Sequence, residues 1–292
     1  MPESTMELKT ITFTVDRGVA TLTLNRPERG NAWTGRMEAE YRHVLAEASE
    51  SDRVGAIIVT GAGRQFCVGA DARAVSGTSE RGSYSSGLSA PLAEPGSPDH
   101  PAHMSRHGFL LSIPKPVIAA VNGAAAGIGF GLACFADVRF VAEDAKLTTS
   151  TSRLGLPPEF AVSWILPRLI GASRATHLLL GSPVMMGREA ADVGWAHRAA
   201  PRGSVLDAAS AYAHDLVRTA SPGALAAAKQ QMWLDLERSL AEADRDAQVR
   251  LEQMVGSEDF ATGAAALKTG TRPDFSARYN PRNIDTAEGK LT

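Results

Sequence analysis

Residues 113–137 read IPKPVIAAVNGAAAGIGFGLACFAD. Pro114 and Pro116 punctuate the approach, and Val117, Ile118 and Val121 form an apolar, β-branched run. A glycine-rich turn follows, from Asn122-Gly123 to Gly129, and then a second apolar segment from Phe130 to Ala136. That order predicts a buried strand, a tight turn and a buried helix. Glycines at such a turn let N–H groups at the helix start face open space, where the positive end of the helix favours an anion. The same pattern also serves a plain buried βα unit whose glycines only permit close packing.

Working outward, the chain of 292 residues is long enough for one extended α/β domain or a main domain with a small appendage. With 44% hydrophobic and 21% charged residues it has a globular composition. Thirty basic against 32 acidic residues give a formal charge of −2, which offers no general reason to expect nucleic acid or an anionic membrane as partner. Two cysteines, Cys67 and Cys134, exclude a disulfide framework and suit a reducing cytosol. The start MPESTMELKT lacks the basic and apolar regions of a signal peptide, and no apolar run reaches membrane-spanning length. The expectation is a cytoplasmic protein.

Upstream of the opening stretch, Thr10–Val15 and Val19–Leu24 alternate as strands about Asp16-Arg17-Gly18, a hairpin with one solvated face. Thr34 caps a helix to about Ser49, with Met37, Tyr41, Val44 and Leu45 on its apolar face. Val54–Thr60 suits a strand covered on both faces, within a largely parallel sheet. Directly after it comes a second glycine turn, Gly61–Asp71, at a strand's carboxyl end. Residues 75–100 are rich in Ser, Gly and Pro and read as a long mobile loop, either a lid or an insertion without function. His103 and His107 lie four apart on the next expected helix; with no third ligand nearby they read as solvated rather than metal-bound.

Downstream, Val138–Ala142 reads as a strand, Ala161–Ile170 as a helix stopped by Gly171, and Ser173–Leu180 as another. Gly187–Val193 is a short helix and Trp195–Ala199 a possible edge strand. Helices follow over 205–219, 222–236, 240–255 and 259–267, before a polar tail expected to be extended after Arg272. The fold class is α/β, divided as a core over 1–200 and a helical region with its tail over 201–292.

Four motifs stand in order along the chain: Asn25-Arg26-Pro27…Asn31-Ala32, Phe66…Gly69-Ala70-Asp71, Val121-Asn122-Gly123…Gly127-Ile128-Gly129, and Asp137. Together, over roughly residues 8–275, they resemble the enoyl-CoA hydratase/isomerase (crotonase) superfamily. The resemblance implies a spiral of repeated ββα units, a C-terminal helical region through which copies associate as a trimer or a dimer of trimers, and an acyl-CoA thioester as substrate. It implies no cofactor, coenzyme A being part of the substrate. Reaction beside a thioester carbonyl puts negative charge on its oxygen, and preorganised N–H donors stabilise that charge by a few kcal/mol each. By the motif those donors are Ala70 and Ile128, the bulk of Ile128 being expected to narrow the pocket. The family's CoA contacts map to Arg29, to Asp71, Ala72 and Arg73, and to Lys268 and Phe275 for the adenine of a neighbouring subunit, Lys268 reading almost as well as a solvated lysine. Gly127 belongs to the substrate-facing turn.

A base is also required. Enoyl-CoA hydratases use two glutamates around a shared water, where this chain has Gly131 and Thr151. Glu159, in Gly155-Leu156-Pro157-Pro158-Glu159-Phe160, resembles instead the single glutamate of Δ3,Δ2-enoyl-CoA isomerases. Phe160, Leu156 and Trp164 are expected to desolvate it; the alternative is a glutamate held by the helix dipole. Glu143 and Asp144 read as turn residues, Asp71 as a helix cap and Asp137 as structural; Cys67, with no histidine partner, reads as a core residue, and no serine has a positioned base. The sequence therefore points to double-bond isomerisation of an enoyl-CoA, with single-carboxylate hydration or non-catalytic acyl-CoA binding as alternatives.

Overall fold

The computed structural model describes residues 6–71 and 92–279. Strands β1 (Ile11–Asp16) and β2 (Val19–Leu24) pair antiparallel as the expected hairpin, with Ile11 opposite Leu24. Thr34 caps α1 (Gly35–Glu50) by accepting from the Met37 N–H at 3.2 Å. Such a cap contributes ~1 kcal/mol. The whole of β3 (Ala56–Gly61) is buried, as a strand covered on both faces must be.

In the opening stretch, β4 (Val117–Val121) leads through the short strand β5 (Ala125–Ala126) to the helix α2 (Ile128–Cys134). Then come β6 (Val138–Ala142), β7 (Lys146–Thr148), α3 (Val162–Ile170), α4 (Ala172–Gly181), β8 (Met185–Met186), α5 (Gly187–Asp192) and β9 (Arg198–Ala200). One sheet runs β1-β2-β3-β4-β6-β9, parallel from β2 onward, with β9 at its edge; β5-β7-β8 form a second. Because β2, β3 and β4 run parallel, their carboxyl ends share one edge, and the loops leaving them meet there.

The C-terminal region is helical: α6 (Val205–Thr219), α7 (Pro222–Leu234), α8 (Leu240–Val255) and α9 (Glu258–Thr269). On α6, Val205, Ala209, Ala213 and Val217 recur every fourth residue and are buried, and this helix packs on β3, β4 and β6. The helix beginning at Pro222 ends at Leu234, short of the expected Leu236, and continues as a 3-10 turn over Asp235–Glu237. Asp137 has the structural role expected of it. Its Oδ2 accepts from the Val117 N–H at 2.7 Å and pairs with the buried Lys229 ammonium at 2.7 Å, tying α7 to the start of β4.

Two expectations are corrected. His103 and His107 are not solvated helix residues: both are buried, in a stretch of turns that precedes a 3-10 helix over Gly108–Ser112. His107 packs edge-on against the rings of Trp33 and Phe160, and His103 Nε2 lies 3.8 Å from a Glu94 carboxylate oxygen, contacts that no local pattern announced. The tail after Arg272 is not simply extended either. Phe275 and Tyr279 are buried, and the Tyr279 ring lies where any Cβ at Gly55 would stand.

Candidate active site

The two glycine turns are laced together at the edge of the sheet. Phe66 and Cys67 donate their N–H groups to the Ala124 carbonyl at 3.1 Å, and the Ala126 N–H donates to Cys67 O at 3.0 Å. The polar residues of the motifs act as staples. Asn31 Nδ2 donates to the carbonyls of Ala62 (3.0 Å) and Gln65 (2.7 Å), while Asn122 Nδ2 donates to those of Gly61 (2.8 Å) and Gly63 (3.0 Å). Gln65 Oε1 accepts from the Ala124 N–H at 2.9 Å. The roles of Asn31, Asn122 and Gln65 were not assigned from sequence, although two of them stand in the motifs.

This lacing leaves two backbone donors free. Among the described residues neither the Ala70 N–H nor the Ile128 N–H meets an acceptor. Ala70 follows Gly69, whose φ of +106° turns the chain against the Ala126 carbonyl. Ile128 is the first residue of α2, where the N–H has no intrahelical partner. Gly127 before it has φ 50° and ψ −117°, a conformation that only glycine adopts readily. The Ile128 side chain does not narrow the pocket: it is buried in the hydrophobic core, and Gly127 lines the cleft in its place.

That cleft is lined by Gly127, Phe130, Thr149, Thr151, Pro158, Glu159, Phe160, Val162 and Leu179. Glu159 is half-buried there; its backbone carbonyl accepts from the Val162 N–H at 3.1 Å, but its carboxylate accepts no hydrogen bond among the described residues. Burial pushes its carboxyl above the ordinary 4.5, against an opposing pull from Arg106. Leu156 and Trp164 are not what desolvates it: Leu156 is 45% exposed and Trp164 lines a different cavity. Nor does Glu159 sit within the helix, since α3 begins three residues later. Phe160 and Ala161 between them both have positive φ, 57° and 54°. This strain, of order 1 kcal/mol per residue, fixes the Phe160 ring edge-on to His107 at 4.5 Å.

Thr151 shares the cleft, its buried Oγ1 without a partner. A Cβ at Gly131 would point at Val162 and Phe160, so position 131 also faces this wall. Arg29 is exposed, at the end of a 3-10 turn beside the first glycine turn. Asp71 pairs with Arg26 at 3.1 Å; the helix it was expected to cap, with Ala72 and Arg73 and most of the 75–100 loop, lies outside the described residues. Lys268 is exposed on α9, while Phe275 is buried within its own chain and offers no free ring surface there. Glu143 and Asp144 pair with Arg188 and Arg202 at the surface. Burial pushes the Cys67 thiol up to about 12, so it is no nucleophile at neutral pH. No cluster of His, Cys, Asp or Glu among the described residues could hold a metal ion. Arg106, which sequence reading passed over, pairs with Glu38 at 2.7 Å and stands over Phe160. It lies beside a stretch without periodicity, so no local pattern announced it.

The family model described as enoyl-CoA hydratase/isomerase matches residues 14–278. The chain belongs to the enoyl-CoA hydratase/isomerase family. This family member is 31% identical to the 1,2-epoxyphenylacetyl-CoA isomerase of Escherichia coli, over 90% of this chain and 97% of that protein. It is 35% identical to a probable enoyl-CoA hydratase of Rhodobacter capsulatus, over 94% of this chain and 100% of the relative. A crystal structure of a probable enoyl-CoA hydratase/isomerase from Mycobacterium abscessus superposes with a TM-score of 0.78 at 31% identity, covering 90% of this chain and 97% of that one. The crotonase-like fold expected from the motifs is thereby shown for this enoyl-CoA hydratase/isomerase family enzyme.

Proposed function

We propose that this acyl-CoA enzyme moves the double bond of an enoyl-CoA thioester, with Glu159 as the single acid–base. The observation that carries the reading is the pair of N–H donors at Ala70 and Ile128, free among the described residues, beside a cleft in which Glu159 is the one carboxylate among the described residues. Glu159 takes a proton from C2 of a 3-enoyl-CoA, and the electron pair shifts toward the carbonyl. The Ala70 and Ile128 N–H groups hold the resulting negative oxygen. Glu159 then returns the proton at C4, leaving a 2-enoyl-CoA. One base that takes and gives back a proton suffices, and its raised proton affinity suits both halves. No cofactor is required by this scheme, CoA being carried by the substrate. Exposed Leu240, Leu251, Phe260 and Leu267 on the last two helices support association of copies there; the assembly proposed is a trimer or a dimer of trimers, and the location proposed is the cytoplasm.

Hydration is the second reading. The unpartnered Thr151 hydroxyl beside Glu159 offers a place for a water, and the relative from Rhodobacter capsulatus is named a hydratase. Incubation with 3-enoyl-CoA and with 2-enoyl-CoA separates them: a conjugated product from the first supports isomerisation, and a 3-hydroxy product from the second supports hydration. Binding of both without turnover marks a non-catalytic acyl-CoA binder.

A further inference from the structure

A second cavity, of about 190 Å³, lies on the other side of the segment that carries Glu159. Glu159 and Phe160 line the cleft, whereas the next residue, Ala161, lines this cavity together with Trp164, Phe135 and Trp233. An apolar cavity of about 150 Å³ can hold a benzene ring, so this one has room for a ring-sized body. Three aromatic side chains around one space form walls suited to a flat apolar body.

The cavity also carries a polar feature that the fold leaves unused. His100, only 8% exposed, lines it, and its Nε2 is buried without a partner among the described residues. The other ring nitrogen, Nδ1, accepts from the Ala102 N–H at 3.1 Å. Accepting there places the proton on Nε2, and burial, with the nearby Lys229 ammonium, lowers the proton affinity of the ring so that it stays neutral. His100 therefore keeps one N–H donor that no oxygen of the described residues receives. A buried donor left so is costly, and a ligand oxygen would satisfy it. The exposed Glu237 also borders the cavity and would repel an anionic group.

We infer that this cavity receives the far end of the substrate's acyl group, a ring-sized apolar body bearing a neutral acceptor oxygen that pairs with His100 Nε2. The inference rests on the acyl-CoA reading of the adjoining cleft and adds the class of acyl group. His100 is a specificity-determining residue that takes no part in proton transfer.

Saturated thioesters, which cannot react, separate this from the chemistry at Glu159. Calorimetry with butyryl-CoA, 4-phenylbutyryl-CoA and 4-(4-hydroxyphenyl)butyryl-CoA is expected to rank them in rising affinity. The hydroxyl should be worth ~tenfold over its absence. His100→Leu should reduce that hydroxyl preference to about one, and His100→Gln, which keeps a donor, should retain part of it. Trp164→Ala, at a partly exposed position, should weaken the phenyl thioesters more than butyryl-CoA. Equal affinity of the wild type for all three, or a hydroxyl preference that survives His100→Leu, overturns the inference. Failure of 3-enoyl-CoA turnover would overturn the isomerase reading while leaving these affinities as they are.

Discussion

Gly129 sits directly against Cys67: a Cβ built on Gly129 would overlap the Cys67 carbonyl oxygen. That carbonyl already accepts the Ala126 N–H, so it cannot swing away without unlacing the turns that present Ala70 and Ile128. Gly129→Ala should therefore destabilise the protein by ~1–3 kcal/mol, the usual cost of overpacking, and reduce turnover more than substrate affinity. Urea unfolding beside steady-state kinetics checks this; wild-type stability and turnover in the variant would mean that the contact does not fix the turns.

Glu159→Gln removes the proposed base and should lower turnover of 3-enoyl-CoA by ~10²–10⁴-fold, with little change in binding of a saturated thioester. In the wild type the base must be deprotonated, so the rate falls as pH drops through the Glu159 pKa. Burial raises that pKa, placing the acid limb above the ordinary 4.5. The same shift means that the native state holds the Glu159 proton more tightly than the unfolded chain. Its stability contribution is thus lost as pH rises through that window, and Glu159→Gln should be slightly more stable than wild type at neutral pH. Rate–pH profiles and thermal melts at pH 7 read the two effects.

Thr151→Glu would put a second carboxylate into the cleft of Glu159. Two like charges in one site cannot both ionise freely. The acid limb of the isomerisation profile should move to higher pH than in the wild type, and 2-enoyl-CoA hydration should rise above its wild-type level. An unmoved limb would show that positions 151 and 159 do not share an electrostatic environment.

His107 is held neutral by burial, its pKa pushed down to about 3 from an ordinary 6.5. Between these values the unfolded chain binds a proton that the native state refuses, so stability falls as pH drops below 6.5. The lost slope approaches ~1.4 kcal/mol per pH unit in the middle of the window. His107→Phe, which keeps an aromatic ring against Trp33 and Phe160, should flatten the stability–pH curve between pH 6 and 4 by about that slope. Denaturant midpoints at several pH values test it, and parallel curves for the two proteins would count against the assignment.

Local chemistry made much of this protein legible in the sequence. Thr34 capped α1 as read, because a side-chain cap needs only the next three residues. The hairpin and the buried β3 followed from period-two and continuous apolar patterns, which record which faces a strand must bury, and the largely parallel sheet from the strand–helix–strand sequence. The N–H groups at Ala70 and Ile128, to which the family resemblance pointed, are free among the described residues. Tertiary structure decided the rest. The inward turn of Ile128, the burial of His103 and His107, and the docking of Tyr279 on Gly55 depend on residues far apart in the chain. So does the setting of Glu159, whose walls come from α2, α3, α4 and the loop after β7 rather than from Leu156 and Trp164 beside it. Sequence determined which atoms were available and how each segment would bend, because those follow from near neighbours. Only the packed fold decided which carboxylate lost its water and which histidine donor went unpaired, because desolvation is imposed by whatever the rest of the chain brings alongside.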